Sequence, residues 1–205
     1  MKKLSALLAL VVVFLTATGF SDYSFSDKAN VLDQTTRQLI SEKNSRYLQT
    51  KEEPQIIVKT VKRTKKLTPK NLDKKKRTVY IVVGVNEKNK KNVQIFSTKD
   101  LHSSFTATVR SNIIRAAVDD LRSTKKDKFN EGIRFVFRAV ATKIDQRYNY
   151  SLDKYDLNDS EMNKISHPHS VALPLALGIV VIIAALSYLF KQTRLRQSRK
   201  NENQK

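Results

Sequence analysis

The sequence predicts a small layered αβα domain on a three- to four-stranded mixed sheet, preceded by a signal peptide and followed by one transmembrane helix. Three observations predict it. The run Thr78 to Val85 is apolar on both faces, as in a central strand covered by helices on each side. The stretches Phe105–Leu121 and Phe129–Tyr148 repeat apolar residues at helical spacing. Apolar segments free of charge stand near both ends of the chain.

The elements follow in order from about Asp27 to Tyr148. A first helix opens at Asp33, an N-cap residue, and carries Thr36, Leu39, Ile40, Lys43 and Tyr47 along one face. Pro54 ends that segment, and the β-branched run Gln55 to Val61 reads as a buried strand. The second run, Thr78 to Val85, and a third, Val93 to Ser97, flank the polar turn Asn86 to Asn92 and form a hairpin. A helix capped by Ser103 or Ser104 then places Phe105, Val109, Ile113, Ala117 and Leu121 in one stripe. The last helix, capped by Asp127, aligns Phe129, Ile133, Val136, Phe137, Val140, Ile144 and Tyr148.

The ends set the topology. Residues 1–20 combine Lys2-Lys3, an apolar core from Leu4 to Ala17 and the small-residue exit Ala17-Thr18-Gly19, the pattern of a secretory signal peptide, cleaved near Gly19 or kept as an anchor. Residues 172–190 carry no charge and match the roughly 20 residues that cross a bilayer. Lys191, Arg194, Arg196, Arg199, Lys200 and Lys205 follow directly, so the positive-inside rule puts the tail, 191–205, in the cytoplasm and residues 21–171 outside. Residues 149–171, polar and without a sustained period, read as a linker from domain to membrane. Leu173-Pro174-Leu175-Ala176-Leu177 lacks the Thr-Gly of a wall-sorting motif.

Composition narrows the function classes. The 205 residues contain no Cys, which removes disulfide frameworks, thiolate metal sites and thiol nucleophiles. The net charge of +20 suggests nucleic acid, but residues 21–171 hold +13 of it on the exported side. Anionic envelope polymers or lipid headgroups are the expected partners there. The charge concentrates in Arg63, Lys65, Lys66, Lys70, Lys74, Lys75, Lys76 and Arg77, against Asp73 alone. These eight residues are the candidate anion-binding set. The stretch has no aromatic residue for base stacking, so nucleic acid gains no support.

Three segments together carry a resemblance. They are Asp27-Lys28-Ala29-Asn30-Val31-Leu32 with Thr36, Ile40, Asn44 and Leu48; Gln55 to Val61; and Asp127-Lys128-Phe129-Asn130-Glu131-Gly132-Ile133. From Ser26 to Tyr148 the chain resembles the TPM domain, an exported module of bacterial membrane-anchored proteins and of a thylakoid-lumen protein described as an acid phosphatase. The resemblance implies carboxylates near two loops that hold Ca2+ or Mg2+ and support phosphatase chemistry. Only Asp27 and Asp100 carry over as metal ligands. The family's Trp-Gly-x-Gly segment and its glycine-rich stretch with Glu are replaced here by Lys74-Lys75-Lys76-Arg77 and by Phe96 to His102. Two carboxylates are few for a hard cation, since calcium usually takes six to eight oxygens.

Other candidate chemistry is sparse. Asp119, Asp120 and His102 are the further pieces of a metal cluster, His167 and His169 flank Pro168, and Ser103-Ser104 lacks the glycines of a nucleophile elbow. The sequence thus points to a membrane-anchored, extracytoplasmic binding or accessory module rather than an enzyme. The alternatives are a divalent-metal-dependent phosphatase and a scaffold that contacts other membrane proteins.

Overall fold

A computed structural model describes residues 24–88, 90–166, 180–188 and 190–191. The chain forms two units, Met1–Pro168 and His169–Lys205. The first is a small α/β domain. Its elements are β1 (Phe25–Asp27), α1 (Gln34–Tyr47), β2 (Gln55–Val61), β3 (Thr78–Val85), β4 (Lys91–Ser97), α2 (Ala107–Ala116), α3 (Val118–Arg122), α4 (Lys126–Tyr148) and α5 (Asp159–Ser166).

The sheet is mixed and four-stranded, in the order β1-β2-β3-β4. β1, β2 and β3 run parallel, with Asp27 opposite Thr60 and Thr60 opposite Val83; β4 returns antiparallel, with Ser97 opposite Val79. The expected strand Gln55–Val61 and hairpin are present. β1 was not expected: Phe25-Ser26-Asp27 reads as the approach to the first helix, and three residues are too few to show an alternating pattern.

Period-two alternation sorts the strands' side chains between the faces. Ile56, Val58, Val79, Ile81, Val83, Val93 and Ile95 pack with Ile40 and Tyr47 of α1, Ile113 of α2, Leu121 of α3 and the apolar stripe of α4. Ile57, Tyr80 and Val82 form a second, smaller cluster with Leu67, against which Val61, Leu72 and Phe96 pack. The αβα layering is therefore corrected. The helices of this core lie on one face, and the connection 62–77 covers the other by inserting Leu67 and Leu72. That is why β3 is apolar on both sides without a second helical layer.

Helix boundaries follow local chemistry. Asp33 caps α1 as expected, its Oδ1 accepting from Thr36 N at 2.7 Å. The cap of α2 is Thr106, not Ser103 or Ser104, because Leu101 and Phe105 are already anchored in the core before the helix begins. The single stripe expected through Leu121 breaks at Ala117 (φ −105°, ψ 6°), separating α2 from α3. α3 lies close against α4, where a Cβ on Gly132 would meet Asp120 Cβ and Leu121 Cδ2 at 3.0 Å each. Asp127 does not cap α4; the helix begins at Lys126, which puts Asp127 in the first turn, beside the positive end of the dipole.

The polar segment after α4 is also corrected. Asn149 (φ 56°) ends the helix in the left-handed region, and the chain then folds back so that Tyr155, Asp156 and Leu157 are buried. Leu157 N donates to Thr142 Oγ1 at 2.9 Å, and Met162 and Ile165 of α5 pack on the main core. Residues 150–166 therefore belong to the domain. Few apolar residues signal this, because the attachment is ionic: Lys43 Nζ, 2% exposed, lies 2.6 Å from Asp145, 3.1 Å from Asp156 and 3.2 Å from Asp153.

In the second unit, residues 180–188 are helical, with Val180, Val181, Ile182, Ile183, Leu186 and Tyr188 exposed. No helix among the described residues is long and apolar enough to cross a membrane. Residues 1–20, 172–179 and 192–205 lie outside the described residues, and with them the signal peptide and part of the expected span.

Candidate functional site

The register fixes where the two expected metal ligands can be. Asp27 ends β1 beside Thr60, at the carboxyl edge of the parallel strands. Asp100 follows β4 and accepts from Arg77 N at 2.8 Å, next to Thr78 at the amino edge of β3. Thr78 and Val83, the residue opposite Thr60, are five strand steps apart. At about 3.3 Å per residue the two carboxylates sit roughly 17 Å apart along the sheet. They cannot share an ion.

Each carboxylate is already engaged. Asp27, with a side chain 5% exposed, accepts from Thr60 Oγ1 (2.6 Å), Val31 N (3.1 Å), Leu32 N (3.1 Å) and Arg37 Nη2 (2.7 Å). Burial works against the ionised form, but the Thr60 hydroxyl, the two backbone N–H groups and the guanidinium together hold its pKa below the usual carboxylate range. Asp100 is likewise opposed by burial and lowered by the Thr98 hydroxyl and the Arg77 N–H. Both act as acceptors that fix loops.

The remaining metal candidates do not converge. His102 places Nε2 3.1 Å from Ser97 O, and no group of three or more His, Asp or Glu among the described residues could hold a metal. His167 and His169 lie outside the described residues. Calcium or magnesium does not fit the donor set that the described residues present.

The basic connection is the other expected site, and the fold divides it. Arg77 turns away from it: its Nη1 lies 3.1 Å from Glu52, and its O accepts from Gln55 N at 2.8 Å. Arg63 and Lys70 instead line a groove of about 600 Å³ on the helix-free face. Lys28, just after β1, Lys59 on β2 and Lys62 complete a set of five cations around it, with no carboxylate in the lining among the described residues. None of the five forms an ion pair among the described residues. Lys65, Lys66, Lys74, Lys75 and Lys76 lie exposed along the same connection.

Local structure explains how the groove is held. Lys59 alternates with Val58 and Thr60, so its side chain leaves on the helix-free face, where Nζ sits 5.1 Å from the Tyr80 ring centroid. Arg63 O passes so close to β3 that a Cβ on Gly84 would come within 2.3 Å of it. Leu67, 4% exposed, anchors the wall. Lys66 (φ 53°), Asn71 (φ 65°) and Arg77 (φ 50°) adopt left-handed backbone within this one connection, a strain that its packed contacts sustain. Like charges around one concavity repel, and an anion entering it relieves that repulsion.

Lys28, Lys59 and Lys62 were missed in the sequence. Lys59 carried a signal, as the single charge in the β-rich run Gln55 to Val61. Lys28 joins the groove through strand pairing, which no local pattern shows.

A family model described as TPM domain matches residues 25–143. No curated protein matches the chain.

Proposed function

The chain belongs to the TPM domain family, and on that premise we propose that it is a membrane-anchored, extracytoplasmic binding module that contacts anionic polymers or headgroups of the cell envelope. The observation that carries the reading is the groove: five cations and, among the described residues, no lining carboxylate, on the sheet face opposite the helices of the core. Anchoring rests on the sequence, through the uncharged segment 172–190 and the cluster of Lys and Arg after it. A phosphatase reading finds less support, because Asp27 is saturated by four donors and lies at the opposite edge of the sheet from Asp100.

The reading makes a direct demand on the full chain in nonionic detergent. Its binding to an immobilised anionic polymer should weaken steeply between low and physiological salt, since exposed charges are screened beyond about 8 Å at 0.15 M. Binding that ignores salt, or survives glutamine substitution of Lys59, Lys62 and Arg63, overturns it.

A further inference from the structure

We propose that the groove takes an unbranched chain of consecutive phosphates, laid across the helix-free face, rather than a single phosphate or a bilayer surface. This rests on the anion-binding reading above and names its ligand.

The first ground is extent. The connection leaves the sheet after Val61, opposite Gly84, and rejoins it at Thr78, six strand steps away. At about 3.3 Å per residue it crosses roughly 20 Å of sheet. Lys62 and Arg63 stand at the carboxyl edge, Lys70 follows the buried Leu67, and Lys74, Lys75 and Lys76 come at the amino edge, after the short turn Leu72–Lys74. A lone phosphate reaches one end of such a track; only a chain engages its length.

The second ground is shape. Lys59 lies on the sheet floor, half-buried, beside a wall formed by Lys62, Arg63 and the run from Leu67 to Lys70. A planar array of headgroups reaches the exposed rim but not that floor, whereas a flexible chain enters it. Ser26 and Thr68 supply hydroxyls beside the cations, suited to phosphoryl oxygens.

The third ground is what the groove lacks. Among the described residues no aromatic lines it, and Tyr80 beneath Lys59 is 3% exposed with the ammonium over its ring, so it offers no platform on which a base could stack. Recognition therefore falls on the phosphates. The chain can be a phosphoanhydride polymer or a polyol phosphodiester; both present the same repeated charge.

The test is calorimetric titration of the full chain with orthophosphate, tripolyphosphate, long-chain polyphosphate and a glycerol-phosphate polymer, beside vesicles rich in anionic phospholipid. The expected result is at least tenfold tighter binding of tripolyphosphate than of orthophosphate. A further gain should come with the long chains, with a salt dependence that steepens as the chain lengthens. Tight binding by one long polymer and not the other identifies the source. Combined Lys59→Gln, Lys62→Gln and Arg63→Gln should weaken long-chain binding tenfold or more without lowering the melting temperature. Arg115→Gln, Arg122→Gln and Lys126→Gln, which remove equal charge elsewhere, should leave it unchanged.

Equal affinity for orthophosphate and long chains overturns the chain inference and leaves the anion reading standing. Binding to vesicles alone also overturns it, and equal losses in the two triple variants show diffuse attraction without a site. No binding to any of the five probes sinks both readings.

Discussion

Lys43 of α1 and Asp145 of α4 meet at 2.6 Å inside the domain, each side chain 2% exposed, across 102 residues of chain. Asp156 and Asp153 complete the contact from the returning segment, and Arg46 holds Asp153 from outside at 2.7 Å. Two cations thus face three carboxylates. Burial opposes charge on Lys43, yet Asp145 and Asp156 more than offset this and raise its pKa. Burial and the neighbouring Asp156 charge raise Asp145, which the Lys43 hydrogen bond only partly offsets.

Lys43→Met should therefore be costly, because it strands buried carboxylates rather than replacing the whole cluster. A loss of about 3–5 kcal/mol is expected. Urea unfolding followed by circular dichroism measures it, and a loss under about 1 kcal/mol contradicts the cluster's structural role.

Hydrogen exchange separates a docked segment from a tether. The amides of Asp153, Tyr155 and Leu157 donate to Asp156 Oδ2, Asp153 Oδ1 and Thr142 Oγ1 at 2.8, 2.8 and 2.9 Å. They should exchange far more slowly than free-peptide rates. Unprotected amides throughout 150–157 would show that the segment does not stay folded.

How much of this was legible in sequence depends on what each feature rests on. Gln55–Val61 and Thr78–Val85 announce themselves, because β-branched residues crowd a short run. The docking of 150–166 does not, since its ionic anchors Asp153 and Asp156 are residue types that serve equally in a solvated linker, and its buried Tyr155 and Leu157 are too few to show a period. The site was half visible for a similar reason. The run of Lys and Arg in 63–77 is local, whereas Lys28 joins it only through the pairing of β1 with β2, and Lys59 through the face of β2 on which it lies.

Acid should destabilise the domain in a defined direction. The carboxyls of Asp27, Asp33, Asp100 and Asp153 lie below their ordinary value of 3.8 in the fold. Their contribution is complete above that value and is lost as pH falls through the lower native ones. Asp145, raised, runs oppositely: its ionisation costs stability as pH rises through its folded value. With four groups against one, the melting temperature should drop below about pH 4. At the alkaline end Lys43, raised above 10.5, contributes at lower pH and is lost only as pH climbs through its folded value. A melting temperature flat from pH 5 down to pH 2 would contradict the acid arm.

Gly84→Ala should strain the seat of the connection, because the added Cβ meets Arg63 O, a backbone atom, at 2.3 Å. The cost expected from overpacking is about 1–3 kcal/mol. Thermal melts read the loss, and a neutral outcome would mean that the connection lies farther from β3.

Asp27→Asn should cost roughly 1.5–3 kcal/mol, the scale of a hydrogen bond to a charged group, through its weakened hold on Arg37. A chelator or millimolar calcium should leave the melting temperature of the unsubstituted chain unchanged. A calcium-induced rise that the Asp27→Asn substitution abolishes would mean that Asp27 binds metal in place of Arg37.

Both parallel connections step across the sheet in the same direction, from β1 to β2 and from β2 to β3, yet α1 crosses one face and the connection 62–77 the other. Their handedness must therefore be opposite. Crossovers between parallel strands are right-handed in about 98% of cases, a preference that comes from coupling a twisted strand to a helix. One of these two is left-handed, and in the connection 62–77 the only helical element is the single turn Leu72–Lys74, which leaves little of that coupling to oppose it.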